Sequence, residues 1–172
     1  MTELIVVRHG ETDWNRDGRY QGHADPPLNE TGRGQAERLA EQLAGEPIEA
    51  VYSSDLRRAS DTAEIVGARI GLPVKREPGL REIDVGSWQG LTKAQIDVRP
   101  WDGETYEHHS ERVTHALREI AARHPDGRVL VVSHGGSLRR VQEAVLGKPL
   151  PVVQHCTIWT CSLENGDLLT NP

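Results

Sequence analysis

Two apolar runs, Leu4-Ile5-Val6-Val7 and Val129-Leu130-Val131-Val132, stop at the same kind of boundary: one polar residue, Arg8 or Ser133, followed by His-Gly. Unbroken runs of this length bounded by glycine predict strands buried on both faces, as in a parallel sheet. A third strand is expected from Ile48 to Ser54, and a short edge strand at Val74-Lys75-Arg76. Between them the period changes to that of a helix. Ala36, Leu39, Ala40 and Leu43 share one face, with Asn29 or Thr31 as N-cap and Gly45 as the stop. Ala59, Ala63, Val66 and Ile70 share another, in a helix opening at Asp55 and stopped by Gly71 and Pro73. A longer helix is predicted from Glu104 to Arg123, with Val113, Ala116, Leu117, Ile120 and Ala121 inward, and a last one from Gly136 to Leu146. The tail alternates from Thr157 to Leu163 and turns back at Asn165-Gly166, a hairpin signal. Strand–helix alternation predicts an α/β fold, a mainly parallel sheet sandwiched by helices. At 172 residues the chain fits a single domain over 1–172.

Two stretches carry no period. Asp13 to His23 is polar and Gly-punctuated and is expected to be a long loop. Leu80 to Gly90 mixes charges with isolated apolar residues and suits a loop over the rim where the strands end, with a brief helix after it at Thr92 to Ile96.

Composition narrows the function. The chain has no Phe and only 4% aromatics, so its core is expected to be built from Leu, Val, Ile and Ala. Its net charge of −6 argues against nucleic acid and against an anionic membrane surface as partners, so any anion site must be local. No apolar stretch approaches the ~20 residues of a membrane span, and no leader pattern precedes Leu4. The two cysteines, Cys156 and Cys161, have no metal-ligand spacing, and an offset of five on one strand places them on opposite faces. They are read as packing thiols of a cytoplasmic protein.

The candidate chemistry lies at the strand ends, where ligands of open α/β sheets bind. Arg8 beside His9 suits an anion, and no HxxxH, HxH or Cys/His cluster marks His9 as a metal ligand. A neutral His9 held through one ring nitrogen is a nucleophile through the other. Arg58, rather than Arg57, is expected near the rim, because it directly precedes Ala59 on the apolar stripe. At a helix start it adds a forked donor for phosphate oxygens. Glu82 or Asp84, in the rim loop, supplies a carboxyl to protonate a leaving alkoxide. His108, His109, His115 and His124 are expected to be solvated, and His155 structural; His23 adjoins the Gln21-Gly22 loop.

In order along the chain stand Arg8-His9-Gly10-Glu11-Thr12, Ser53-Ser54-Asp55-Leu56 with Arg58-Ala59, Leu80-Arg81-Glu82 with Trp88-Gln89-Gly90, and Ser133-His134-Gly135-Gly136. This series resembles the histidine phosphatase superfamily, the phosphoglycerate mutase-like proteins, from Leu4 to about Leu146. The resemblance implies that His9 becomes phosphohistidine, that Arg8, Arg58 and His134 hold the phosphoryl oxygens, and that Glu82 rather than Asp84 donates the proton. It implies phosphate contacts from Asn15, Gln21, Gly22 and the N–H of Gly135, and it implies neither metal nor cofactor. Glu104 and Thr105 fall where they support the site from behind. The family often inserts helices between Gly90 and Gly103, where this chain has only Leu91 to Asp102. So short a cap favours a phosphomonoesterase acting on a small phosphate ester. A phosphoglycerate mutase must keep water out, and a non-catalytic phospho-ligand binder needs no proton donor. The hairpin at Asn165-Gly166 either covers a sheet edge or pairs with a second subunit in a homodimer.

Overall fold

The structure, a computed structural model, describes residues 1–96, 98–164 and 166–170. Six strands form one sheet: β1 (Thr2–Arg8), β2 (Ala50–Ser53), β3 (Val74–Arg76), β4 (Arg128–Ser133), β5 (Ile158–Glu164) and β6 (Asp167–Thr170), in the order β3-β2-β4-β1-β5-β6. The first four strands in that order are parallel. β5 and β6 run antiparallel, so the C-terminal hairpin makes the sheet mixed. Of its turn signal, Asn165 lies outside the described residues.

The apolar runs are buried on both faces, as expected. Leu4 and Val6 of β1 and Val129 and Val131 of β4 face Val113, Leu117, Ile120, Leu138 and Val141. These come from α5 (Tyr106–Ala122) and α6 (Gly135–Leu146). Ile5, Val7, Leu130 and Val132 face Leu39, Leu43, Ala59, Ala63 and Val66 on the other side. These belong to α2 (Glu30–Leu43) and α3 (Arg57–Ile70). Alternate residues of each strand thus enter different cores; the second is built from aliphatic side chains, with Cys156 beside it, and the first adds Tyr52 and Trp159 to a mainly aliphatic set.

Several boundaries move. Asn29, not Thr31, caps α2, its side chain accepting from the Gly32 N–H at 2.8 Å. The Asp13 loop contains a short helix, α1 (Asp13–Arg16), started by a reciprocal capping box between Thr12 and Asn15. The brief helix after the rim loop is α4 (Lys93–Ile96). One 3₁₀ turn, Pro78–Leu80, leads into the rim loop and a second, Gly86–Trp88, lies within it. Cys156 precedes β5 and does not share its strand with Cys161; both are free thiols.

Two histidines are not solvated. His109 is buried at 1% exposure, because the same four-residue step that carries Val113 and Leu117 inward carries it too. His124 is half-buried, with Nε2 3.1 Å from the Tyr52 hydroxyl and Nδ1 2.6 Å from Glu49. His108 and His115 are exposed, as expected.

Candidate active site

Strand register builds the site. Arg8 pairs with Ser133 across β1 and β4, so His9 and His134 are the next residues on neighbouring parallel strands. The His9 N–H donates to the Ser133 carbonyl at 3.0 Å, and the two rings meet edge to face with centroids 5.2 Å apart. Ser53 pairs with Val132, which brings Ser54 to the same rim, and its Oγ lies 2.8 Å from His134 Nε2.

His9 is 2% exposed. Its Nδ1 donates to the Gly10 carbonyl at 2.6 Å, which fixes the tautomer and leaves a lone pair on Nε2. Arg58 Nε donates to that Nε2 at 3.3 Å. Burial first, then the charges of Arg58 and Arg8, hold the imidazole pKa well below its ordinary value. An uncharged ring nitrogen therefore faces a space ringed by positive charge, which is what attack on phosphorus requires.

The cations are anchored by backbone. Arg58, 1% exposed, donates from Nη2 to the Gly22 carbonyl at 2.9 Å and from Nη1 to the Ala24 carbonyl at 2.8 Å. Burial lowers its pKa to about 10, so it stays charged at neutral pH. Arg8 donates from Nη1 to the Val153 carbonyl at 2.5 Å, and its buried Nε has no partner among the described residues.

Glu82 is presented by a strapped loop. The forked bond of Arg81 to Asp55, at 2.7 and 2.6 Å, ties one side of it to the chain entering α3. On the other side Arg112 donates to the carbonyls of Gly79, Arg81 and Glu82 at 2.9, 3.1 and 3.3 Å. Arg112 is itself gripped by Glu104 at 3.0 and 2.8 Å. Burial pushes the Glu104 carboxyl up, but the guanidinium overrides it, and the pKa falls to about 2. The Glu82 carboxyl accepts the Gly136 N–H at 2.9 Å on Oε2 and the Ile83 N–H at 3.0 Å on Oε1. Glycine at 136 permits this approach, since a Cβ there would stand 2.5 Å from Oε1. Asp84 spends its carboxylate on the Gly86 N–H at 2.9 Å. The structure thereby separates the two carboxyls that pattern alone left level.

Arg8, His9, Asn15, Gln21, Gly22, Arg58, Glu82 and Gly135 all line one cavity of about 250 Å³. His134 does not. It is fully buried behind His9, with Nδ1 unpartnered among the described residues. Burial first, and then Arg58, keeps its pKa well below the ordinary value. The Asn15 side-chain oxygen accepts the Thr12 N–H at 3.1 Å and the Gln21 side-chain oxygen accepts the Thr12 hydroxyl at 2.9 Å, so both amides are held by their oxygens and their nitrogens remain as donors. Gly22 serves through its carbonyl, as the anchor of Arg58.

A family model for the histidine phosphatase superfamily (branch 1) matches residues 4–167. The chain belongs to the histidine phosphatase superfamily. It is 42% identical to a metal-independent phosphoserine phosphatase of Arabidopsis thaliana, over 82% of this chain and 67% of that protein. It is 38% identical to a glucosyl-3-phosphoglycerate phosphatase of Mycobacterium tuberculosis, over 86% of this chain and 76% of that one. The solved structure of Bacillus stearothermophilus YhfR superposes with a TM-score of 0.91 at 32% identity, covering 99% of this chain and 95% of its own.

Around this histidine phosphatase site stand residues that pattern reading missed. Arg19, Tyr20, Ile83, Val85, Gly136 and Val152 complete the cavity wall. His155, assigned to structure, has its ring 5.9 Å from that of His9, and burial followed by Arg8 lowers its pKa to about 4. Its position comes from the chain folding back before β5, where the Cys156 N–H donates to the Arg8 carbonyl at 2.9 Å, and no local signal announces that. His23 places Nε2 2.9 Å from the Glu82 carbonyl, bracing the rim loop. The position of His109 was open to detection, because it falls on the apolar stripe of α5.

Proposed function

We propose that this chain is a phosphomonoesterase working through a phosphohistidine on His9. His9 Nε2 attacks phosphorus, the bond to the leaving oxygen breaks, and the Glu82 carboxyl gives that oxygen its proton. Water then attacks the phosphohistidine, the N–P bond breaks, and the Glu82 carboxylate takes up the proton released. Arg8 and Arg58 carry the charge spread over the phosphoryl oxygens, with Asn15, Gln21 and the Gly135 N–H beside them, while His134, buried outside the cavity wall, backs the His9 ring rather than touching the phosphoryl group. The observation that carries this reading is the His9 ring itself, locked through Nδ1 on Gly10, with an Nε2 lone pair that meets only the long 3.3 Å bond from Arg58 Nε in a cavity also lined by Arg8.

The substrate class is supported by relatives and by shape. The phosphoserine phosphatase of Arabidopsis and the glucosyl-3-phosphoglycerate phosphatase of Mycobacterium act, by name, on phosphate esters that also carry a carboxylate. A second hollow of about 200 Å³ adjoins the phosphoryl cavity and is lined by Tyr106, His109, Arg139 and Arg140. It suits the leaving group of such an ester. The short 91–102 cap favours hydrolysis over a mutase reaction, and a proton donor in place argues against a mere phospho-ligand binder. A cytoplasmic location and a homodimer through the β6 edge belong to the same proposal, and cell fractionation and sedimentation test them.

The decisive experiment is rapid quench with ³²P-labelled phosphoserine and 3-phosphoglycerate. An acid-labile, alkali-stable adduct that His9→Ala abolishes, with inorganic phosphate as product, is expected. Label on another residue, or isomerised phosphoglycerate without free phosphate, overturns the reading.

A further inference from the structure

One buried titratable side chain beside Glu82 has no part in the mechanism above. His109 is 1% exposed, and its Nε2 lies 2.9 Å from Ser137 Oγ and 3.7 Å from Glu82 Oε1. Ser137 is fully buried. Its Oγ is 3.3 Å from Glu82 Oε1 and 3.3 Å from the Arg81 carbonyl. A serine hydroxyl has one hydrogen, so these acceptors compete for it. Of the donors that reach the Glu82 carboxyl among the described residues, Ile83 and Gly136 offer backbone N–H groups, which cannot turn away. Ser137 alone can.

We propose that His109 is a positioning residue for the proton donor, acting through the Ser137 hydroxyl. This rests on the reading of Glu82 as that donor. While Glu82 carries its proton, the Nε2 lone pair of His109 holds the Ser137 hydrogen. When the proton has passed to the leaving oxygen, the hydroxyl turns to Oε1 and supports the carboxylate. When attacking water returns a proton to Glu82, the hydroxyl swings back. Neither His109 nor Ser137 gains or loses a proton in the cycle. A carboxyl that always receives a third hydrogen bond ionises more readily, and an acid must hold its proton at working pH.

The surroundings of His109 fit this use. The ring must be neutral, and burial, its largest influence, lowers its pKa. Facing it are Glu82 from the rim loop, Glu104 from the segment before α5, Arg112 from the body of α5, Arg140 from α6, and His134 from the end of β4. The tautomer this role requires carries its hydrogen on Nδ1, which is buried without a partner among the described residues, a cost that the 2.9 Å bond from the Ser137 hydroxyl to Nε2 must offset.

The test is the pH profile of kcat/KM for glycerol 3-phosphate, an alkyl ester whose leaving oxygen needs a proton. In His109→Leu only the Arg81 carbonyl and Glu82 compete for the Ser137 hydrogen, the ionised carboxylate takes it more readily than in the wild type, and the alkaline limb moves to lower pH, with activity on that limb down roughly three- to tenfold. In Ser137→Ala the third donor is gone, and the limb moves to higher pH. The double variant follows Ser137→Ala. His109→Gln, whose amide oxygen can take the hydrogen, brings the limb back toward wild type. A purely structural role would move the single variants in the same direction. That result, or an unmoved limb in folded His109→Leu, overturns the inference. Should His109→Leu not fold, the opposite shift in Ser137→Ala and the near-normal limb in His109→Gln carry the test, and failure of either overturns it. Glu82→Gln keeps the two readings apart. If it hydrolyses the alkyl ester normally, the proton-donor reading fails; if it is inactive while His109→Leu shows no shift, only the role of His109 fails.

Discussion

Replacing Arg58 by Met separates the electrostatic work of the site from its packing. Methionine fills similar space and keeps the aliphatic stem, but removes the donors to Gly22, Ala24 and His9 Nε2. The charge facing the phosphoryl group falls by one guanidinium, and by analogy with loss of one oxyanion donor the plateau of kcat/KM should drop on the order of 10²–10³-fold. A second effect has a definite sign. Arg58 is the largest charge depressing the His9 pKa, so its removal raises that pKa. In the proposed mechanism the nucleophile is the neutral ring, hence the acid limb must move to higher pH. Stability changes less than rate. Two carbonyls lose charged donors, each bond being worth about 1.5–3 kcal/mol, while the cost of burying a guanidinium disappears. A net loss of about 1–3 kcal/mol, or roughly 2–12 °C in Tm for a chain of this size, is expected. The assay is kcat/KM for p-nitrophenyl phosphate and for an alkyl ester from pH 4 to 9, with circular dichroism confirming the fold at each pH. A plateau within tenfold of wild type, or an acid limb that stays put or moves down in a folded variant, would refute the electrostatic account.

Other outcomes follow from the same contacts. Glu82→Gln should lose about 10²–10⁴-fold on alkyl esters and much less on p-nitrophenyl phosphate, whose leaving group needs little protonation; equal losses on both would argue against a proton donor. Glu104→Gln weakens the grip on Arg112. The Glu104 carboxyl is depressed to about 2, so its contribution to stability is present above its unfolded value near 4.3 and disappears as pH falls through about 2. The Tm gap between wild type and Glu104→Gln should therefore be open at pH 7 and close between about pH 4.5 and 2; a gap independent of pH contradicts the pairing. Gly32→Ala places a Cβ 2.1 Å from the Glu11 carbonyl oxygen, backbone against backbone, where α2 packs on the loop after His9. It should cost at least about 3 kcal/mol in urea unfolding, beyond the common overpacking range.

Apolar patterning alone is enough to specify the layers and the two histidine-bearing strand ends. A buried strand in a sheet covered on both faces needs an unbroken apolar run, and Leu4–Val7 and Val129–Val132 supply it with polar punctuation where each strand must stop. Helical stripes carry the same information, and the stripe of α5 already held His109. Tertiary structure decided what depends on distant segments meeting. Glu82 and not Asp84 lines the cavity because Arg81 and Arg112 strap its loop and Gly136 admits its carboxyl, contacts that span tens of residues in sequence. His155 joins His9 only because the segment before β5 pairs back onto Arg8. Hydrophobic periodicity is local and survives in the unfolded chain; the choice among charged groups rests on Coulombic and hydrogen-bond partners that exist only after folding.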